Sequence, residues 1–205
     1  MKKELTEIVF ILDASGSMYG FEKDTVGGFN SIIDSQKEEE GTAFVTTIVF
    51  NDRHKIIHDR TDIRETPLLT EKDYQTNGCT ALLDSVGYAI EHISNIHKYS
   101  RIEDVPEKTI FTITTDGMEN TSKKYSYADI KRLIENKKEL GWDFVFSAAN
   151  IDVEQEAAKI GIDSCYASSY ICDEKGIEMN NTYLDSVIRT LRKKQTNRQC
   201  KSPPL

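Results

Sequence analysis

Short apolar segments alternate with amphipathic helical segments along this chain, and that alternation constrains its fold more than any other feature. Apolar and β-branched residues predict strands at 7–12, 43–50, 55–58, 109–114, 143–148 and 165–171. Apolar residues at steps of three or four predict helices at 24–36, 80–97, 126–140, 153–160 and 182–194. Strands that alternate with helices predict the α/β class, with a mainly parallel central sheet and helices on both faces.

The second and third predicted strands are separated only by a turn that begins at Asn51-Asp52. They therefore form a hairpin, which predicts one antiparallel strand at an edge of the sheet. Ligands of such sheets bind at the carboxyl ends of the strands, close to the point where the strand order reverses. A functional site is accordingly expected in the loops after Leu12, before Thr80 and after Thr115.

The 205 residues include 26 Lys+Arg and 34 Asp+Glu, which gives a formal net charge of −8. With 38% apolar and 29% charged residues, the composition is that of a globular protein. We expect a single domain at 1–195 and a short basic tail at 196–205. The acidic balance argues against nucleic acid as a partner, because binding to DNA or RNA requires a basic surface.

The longest uninterrupted apolar run extends only from Ile8 to Leu12. A membrane-spanning helix needs about 20 such residues, and the apolar region of a secretory signal needs about 7–15. We therefore expect a cytoplasmic protein with no membrane partner. The cysteines lack the spacing of a zinc site and are expected to be free thiols in a reducing compartment; they are Cys79, Cys165, Cys172 and Cys200.

Five side-chain oxygen donors fall in the three strand-end loops, and they are Asp13, Ser15, Ser17, Thr80 and Asp116. Each has an ordinary explanation by itself, since Asp often ends a strand and Ser or Thr often caps a helix, as predicted for Thr80. Together, two carboxylates and three hydroxyls make a hard ligand set that suits Mg²⁺, with Mn²⁺ or Ca²⁺ as alternatives. The two carboxylates balance a dication, which leaves room for an anionic oxygen from outside.

The pattern Asp13-x-Ser15-x-Ser17, followed by Thr80 and Asp116, resembles the metal-ion-dependent adhesion site (MIDAS) of von Willebrand factor type A (VWA) domains. The surrounding stretches Phe-Ile-Leu-Asp-Ala-Ser-Gly-Ser-Met and Thr-Thr-Asp-Gly fit as well, and the resemblance covers about residues 5–195. It implies the Rossmann-like VWA fold, with one antiparallel edge strand in a mainly parallel sheet.

The resemblance also implies roles for the donors and a class of partner. Ser15 and Ser17 would contact the ion directly, and Asp13 would act through water. The remaining two, Thr80 and Asp116, would exchange between direct and water-mediated contact. The partner would be a protein that presents an Asp or Glu carboxylate to the ion. The resemblance implies that its binding shifts the Asp116 loop and the last helix; the alternative is a rigid helix that only covers the sheet.

A hydrolase is the competing class. Ser15 does not lie in a Gly-x-Ser-x-Gly motif, and the four histidines are expected on the hairpin and the lower part of a helix, at the surface or half-buried. No Gly-x-Gly-x-x-Gly follows the first strand, which excludes a dinucleotide enzyme. A metal-dependent phosphoesterase stays the alternative, but it lacks an evident general base, since the nearest charged residues, Glu22, Lys23 and Glu119, are expected on the rim of the site.

A metal-free scaffold is the third class. Two unneutralised Asp side chains close to one another would be costly, which argues against it. We therefore expect a metal-dependent binding protein without catalytic residues or an organic cofactor.

Overall fold

A computed structural model of the chain describes residues 2–193, with side chains from residue 4 onward. Its strands are β1 (Lys2–Asp13), β2 (Thr42–Phe50), β3 (His54–Asp62), β4 (Pro106–Thr115), β5 (Trp142–Ala149) and β6 (Ala167–Tyr170). They form one six-stranded sheet in the order β3-β2-β1-β4-β5-β6. All neighbouring pairs are parallel except β2 and β3, so β3 is the antiparallel edge strand that the hairpin predicted.

Five α-helices cover the sheet in two layers. They are α1 (Glu22–Lys37), α2 (Leu82–Tyr99), α3 (Tyr127–Glu139), α4 (Val153–Lys159) and α5 (Glu174–Lys193). Helices α2, α3 and α4 pack on one face of the sheet, whereas α1 and α5 pack on the other. The predicted fold class, a mainly parallel sheet with helices on both faces, is therefore confirmed.

Strand β1 lies at the centre of the sheet and is buried on both faces. Ile8, Phe10 and Leu12 point into the layer of α1 and α5, while Val9 and Ile11 point into the layer of the other three helices. Because successive side chains of a strand face opposite sides, a strand covered on both faces reads as a continuous apolar run. This explains why 8–12 is the most apolar stretch of the sequence.

The last helix begins at Glu174, eight residues before the predicted start at Thr182. The prediction was wrong because the first turn of α5 is fixed by Asp173, whose side chain accepts a hydrogen bond from Gly176 N at 2.7 Å. Such a cap allows a helix to begin before its apolar stripe does. The predicted end at Lys194 lies outside the described residues, as do Cys200 and the predicted tail at 196–205.

The first and last strands also differ from their predicted bounds. The first strand begins at Lys2 rather than at Glu7. The last strand is only four residues long, because 164–166 form a 3-10 turn closed by a hydrogen bond from Tyr166 N to Asp163 O (2.9 Å). Helix α3 begins with a capping box: Ser126 Oγ accepts from Asp129 N at 3.2 Å, and Asp129 accepts from Ser126 N at 3.1 Å.

In the described part of the chain, every helix is too short or too polar to span a lipid bilayer.

An ion pair is buried midway along β1, six residues before Asp13. Glu7 is fully buried, and its Oε2 accepts a hydrogen bond from Arg60 Nε at 2.7 Å. The Arg60 guanidinium also lies over the Phe44 ring, 4.7 Å from its centroid. The second neighbour of this carboxylate is His97 Nε2, at 3.4 Å. A buried carboxylate depends on such partners, because its desolvation is otherwise uncompensated.

We predict that Arg60→Ala lowers the free energy of unfolding by about 3–5 kcal/mol, since it leaves the Glu7 carboxylate buried without its guanidinium partner. Urea unfolding at neutral pH measures the effect. The matched control is Arg101→Ala: this Arg pairs with Asp104 at 2.8 Å, but its side chain is 76% exposed, so the loss should be at most about 1 kcal/mol. Equal losses in the two variants would contradict the prediction.

Candidate metal site

The predicted donors lie at the point where the strand order reverses. The chain passes from β1 to β2 on one side of the sheet, and β4 then returns to pair with β1 on the other side. Asp13 is the last residue of β1, and Asp116 follows the last residue of β4. Such a reversal opens a crevice between two neighbouring loops, which is the usual ligand site of a parallel sheet.

Three of the five donors are within hydrogen-bond distance of one another. Ser17 Oγ donates to Asp116 Oδ1 at 2.8 Å, and Ser15 Oγ lies 3.4 Å from the same oxygen. The two hydroxyl oxygens of Ser15 and Ser17 are 3.1 Å apart. The first and third strand-end loops therefore bring two hydroxyls and one carboxylate to a single point.

Asp13 lies directly behind this group. Its Oδ1 accepts a hydrogen bond from Ser15 N at 2.8 Å, and its Oδ2 accepts one from Thr115 Oγ1 at 2.6 Å. Burial raises the pKa of this carboxyl above its ordinary value, the hydrogen bonds from Thr115 and Ser15 oppose that rise, and the charge of Asp116 adds to it. The structure thus holds two buried acidic groups side by side.

Thr80 is buried, and its loop is joined to both of the others through the backbone. Gly16 N donates to Gly78 O at 3.1 Å, and Thr80 N donates to Asn120 Oδ1 at 3.0 Å. Gly78 has a φ of +70°, which favours glycine, and a Cβ there would lie 2.5 Å from Asp52 Oδ1. Among the described residues, the Thr80 hydroxyl makes no hydrogen bond to the other four predicted ligands.

The prediction that Thr80 is the N-cap of α2 was wrong. The helix begins at Leu82, and its N-cap is Ala81, which has no side-chain oxygen to offer. The first free N–H groups of α2 are instead satisfied from the third loop: Leu83 N donates to Glu119 Oε2 at 2.9 Å, and Asp84 N donates to Ser122 Oγ at 3.0 Å. The first N–H groups of an α-helix have no acceptor within the helix, and for α2 the third loop supplies the acceptors.

Glu119 therefore holds the second and third loops together, a role that the sequence analysis missed when it placed this residue on the rim. Its Oε1 accepts from Thr121 N at 2.8 Å and from Ser122 N at 2.7 Å. Asp84 on α2 forms the reciprocal contact, in which a helix side chain accepts hydrogen bonds from the third loop. Its carboxylate accepts the backbone N–H groups of three consecutive residues of the third loop, which are Lys123, Lys124 and Tyr125. The sequence carried no signal for the role of Glu119, because Thr80 was an adequate N-cap for a helix that began one or two residues earlier.

The donor set fits a hard cation. Asp116 is only 2% exposed, and among the described residues its buried Oδ2 has no hydrogen-bond partner. A buried acceptor without a partner is costly, and a cation at this position would remove that cost. Within residues 4–193, no cluster of three or more His, Cys, Asp or Glu side chains is arranged to hold a metal. Beside Asp116, the hydroxyls of Ser15 and Ser17 are neutral oxygen donors of the kind that hard cations accept as ligands.

The histidines are engaged elsewhere. His58 was expected at the surface or half-buried, but it is buried, and its Nδ1 lies 3.0 Å from Thr47 Oγ1. Among the described residues, none of the four hydrogen-bonds to a predicted ligand. The other three imidazoles contact Tyr88 (His54), Asp59 (His92) and Glu7 (His97).

Comparison with known proteins identifies the fold. No protein-family model and no curated protein sequence matches the chain. Among solved structures, proximal thread matrix protein 1 from the mussel byssus is similar, with a TM-score of 0.63, 14% identity and coverage of 90% of this chain and 46% of that chain. The same protein with a zinc-occupied MIDAS motif gives a TM-score of 0.60 at 16% identity, with the same coverage.

A von Willebrand factor type A structure from Catenulispora acidiphila is also similar, with a TM-score of 0.56 and 16% identity, covering 88% of this chain and 42% of that chain. The chain thus spans less than half the length of the structures that it matches. At these identities the likeness establishes the fold alone, and that fold is the Rossmann-like VWA fold.

We predict that the proximity of Asp13 and Asp116 lowers the free energy of unfolding of the metal-free protein. Because the folded state raises the pKa of Asp13, the ionised form of this side chain destabilises the fold above the ordinary pKa. Asp13→Asn keeps the shape and removes the charge, so the metal-free variant should melt about 2–4 °C above the metal-free natural protein at neutral pH. Millimolar Mg²⁺ should raise the melting temperature of the natural protein but not that of the variant.

The control for this experiment is Asp34→Asn on α1. Its side chain is 62% exposed and, among the described residues, pairs with Lys37 alone at 2.9 Å. The melting temperature of this variant should therefore equal that of the natural protein, both with and without Mg²⁺. A metal-free Asp13→Asn protein that melts below the natural protein would contradict the prediction.

Proposed function

We propose that this protein binds one divalent cation at a MIDAS and uses the ion to engage an acidic side chain of a partner protein. The ligands would be Asp13, Ser15, Ser17, Thr80 and Asp116. Mg²⁺ is the expected ion, with Mn²⁺ and Ca²⁺ as alternatives. The observation that carries the proposal is the unpaired, buried Oδ2 of Asp116, next to two hydroxyls that already point at the same carboxylate.

The spacing of the oxygens supports Mg²⁺. Ligands at about 2.1 Å around an octahedral ion lie about 3 Å from their neighbours. The oxygens of Ser15, Ser17 and Asp116 are 2.8, 3.1 and 3.4 Å apart. Three donors with this spacing would need little rearrangement to share one ion. The structural neighbour with a zinc-occupied MIDAS motif supports divalent metal binding on this fold, while the hard oxygen set favours Mg²⁺ over zinc.

The charge of the site supports a carboxylate as the incoming ligand. Asp13 and Asp116 together balance a dication, and the hydroxyl ligands add no charge. Mg²⁺ retains some of its water ligands in proteins, and the exposed position of Ser17 leaves this side of the site open. An Asp or Glu side chain of a partner would replace such a water and add a charge-assisted contact.

We propose a binding protein rather than an enzyme. The metal-dependent phosphoesterase needs a general base or a cationic clamp beside the ion, and the charged groups nearest the loops have other contacts. Glu119 caps α2, and Glu22 accepts hydrogen bonds from Thr76 Oγ1 and Gly20 N. Lys23 lines a groove between α1 and α5. A cytoplasmic location, expected from the sequence, is part of the same proposal.

Calorimetry with Mg²⁺ or Mn²⁺ tests the metal. We predict a single binding site in the natural protein and no binding in Asp116→Ala, because this substitution removes both the unpaired oxygen and half of the balancing charge. Asp104→Ala is the matched control, since this Asp pairs with Arg101 far from the three loops, and it should bind the ion normally. Absence of binding at millimolar metal would contradict the proposal.

A screen of ester and phosphate substrates tests the enzyme alternative. We predict no turnover in Mg²⁺ or Mn²⁺, because within residues 4–193 no nucleophile and base are paired beside the predicted ligands. Metal-dependent turnover that disappears in both Ser15→Ala and Asp116→Ala would favour the phosphoesterase.

A further inference from the structure

A pocket of about 270 Å³ lies between the end of the β2–β3 hairpin and the segment 72–77. Its lining includes three cationic side chains, Arg53, Lys55 and Lys72, and we call it the cationic pocket. His54 lines it as well, but its ring stacks on Tyr88 with the centroids 3.9 Å apart. Partial desolvation lowers the pKa of this imidazole, so it adds no charge at neutral pH.

The cationic pocket adjoins the predicted metal site through the backbone of Ala14, the residue between Asp13 and Ser15. Ala14 N donates to Phe50 O at 2.7 Å, and Asn77 N donates to Ala14 O at 3.0 Å. Phe50 and Asn77 both line the pocket. A single residue of the first loop therefore contacts both walls of the pocket and is flanked by two predicted metal ligands.

Two of the cationic side chains lack a carboxylate partner. Among the described residues, neither Lys55 nor Lys72 forms an ion pair, although both line the pocket. Arg53 Nε lies 3.9 Å from Asp52 Oδ2, and Asp52 does not belong to the lining. An acid from another molecule would thus meet at least two cationic groups that it need not share.

The acids around the cationic pocket do not balance its charge. Asp73 lines the pocket, but its Oδ2 already accepts hydrogen bonds from Thr70 N at 3.1 Å and from Thr70 Oγ1 at 2.6 Å. The hydrogen bonds from Thr70 lower the pKa of Asp73, and the charge of Lys55 adds to this at longer range. Two other acids lie close by, Glu71 in the sequence and Glu22 in the fold, and neither lines the pocket.

The basic residues of the third loop, on another side of the metal site, are outnumbered by acids. Lys124 Nζ pairs with Glu91 Oε2 at 3.1 Å. The carboxylates of Asp84 and Glu119 accept backbone hydrogen bonds from the same loop. Together with Lys123, this side therefore has two cationic and three acidic side chains. The surface field attracts a carboxylate more strongly on the side of the cationic pocket.

We infer that the cationic pocket binds a second Asp or Glu side chain of the partner protein, next to the one that the metal binds. The inference rests on the proposed function. Neighbouring strands are about 4.8 Å apart, so β3, which carries Lys55, lies about 10 Å from β1, which ends at Asp13. An extended chain covers this distance in about three residues. Charge-assisted contacts to the lysines would then fix the orientation of the partner segment.

Two peptides test the second contact on the full chain, in Mg²⁺ and at about 0.15 M NaCl, where the Debye length is only about 8 Å. Their sequences are acetyl-Asp-Ser-Ser-Asp-Ser-Ser-Asp-amide and acetyl-Ser-Ser-Ser-Asp-Ser-Ser-Ser-amide. The first offers a second acid at the expected spacing in either chain direction.

In an NMR titration, we predict that the three-acid peptide binds about tenfold tighter than the single-acid peptide. About threefold arises because three carboxylates can reach the ion, and about threefold more is the effect of an exposed ion pair. Binding of the single-acid peptide should disappear in a chelator.

The decisive variant combines Lys55→Gln with Lys72→Gln. It should retain the Mg²⁺ affinity of the natural protein, while its preference for the three-acid peptide should fall to the statistical value of about threefold. The matched control combines Lys123→Gln with Lys124→Gln, which removes the same charge from the third loop. This control should keep the preference of about tenfold, because its lysines do not line the pocket.

The outcomes separate the inference from the proposed function. A merely statistical preference in the natural protein, or an equal loss of preference in both double variants, overturns the second contact and leaves the metal-dependent capture of a carboxylate intact. If the ion binds but neither peptide does, carboxylate capture fails and the second contact fails with it. If calorimetry detects no ion, both proposals are overturned, and the failure lies in the metal site.

Discussion

The parallel pairing of β1 with β4 is the contact on which the site depends. Ladder hydrogen bonds join the two strands from Thr6 and Lys108 to Leu12 and Thr114, so both strands end at the same height. Asp13 and Asp116 therefore lie next to one another at the carboxyl ends of these strands, at the point where the strand order reverses. The first and third loops could not share a ligand if β1 and β4 were separated by another strand.

Strand β1 carries two buried carboxylates, and different groups compensate their charges. Glu7, midway along the strand, pairs internally with the Arg60 guanidinium at 2.7 Å. Among the described residues, Asp13, at the carboxyl end of the strand, receives hydrogen bonds only from an amide and a hydroxyl, with the second acid, Asp116, nearby. Among the described side chains, no Lys, Arg or His pairs with either of these two acids. An internal cation stabilises the Glu7 carboxylate, whereas the Asp13 and Asp116 carboxylates retain the charge that a divalent ion would balance.

The loops around this unbalanced charge are held by contacts that do not require an ion. Glu119 and Asp84 exchange hydrogen bonds between α2 and the third loop, and Asn120 pairs with the backbone of Thr80 in both directions. These contacts hold the backbone at the predicted ligands in place, although the carboxylates of Asp13 and Asp116 repel one another. Functional sites commonly have such a local cost in stability. Support of this kind is what a preorganised binding site needs.

The sequence determined the class of fold and the chemistry of the candidate ligands, because hydrophobic periodicity and donor type are local properties. The five donors were identified from their residue types and from the strand ends on which they lie. Strand order and the clamp by Glu119 were decided by the tertiary structure. Each depends on a partner distant in sequence: Glu119 caps α2, and β4 pairs with β1 across about a hundred residues. The early start of α5 depends instead on Asp173, which is three residues from Gly176, and is therefore a local signal that the apolar pattern did not reveal. Residue types show which polar groups require hydrogen-bond partners, whereas the packing of the chain determines which partners they have.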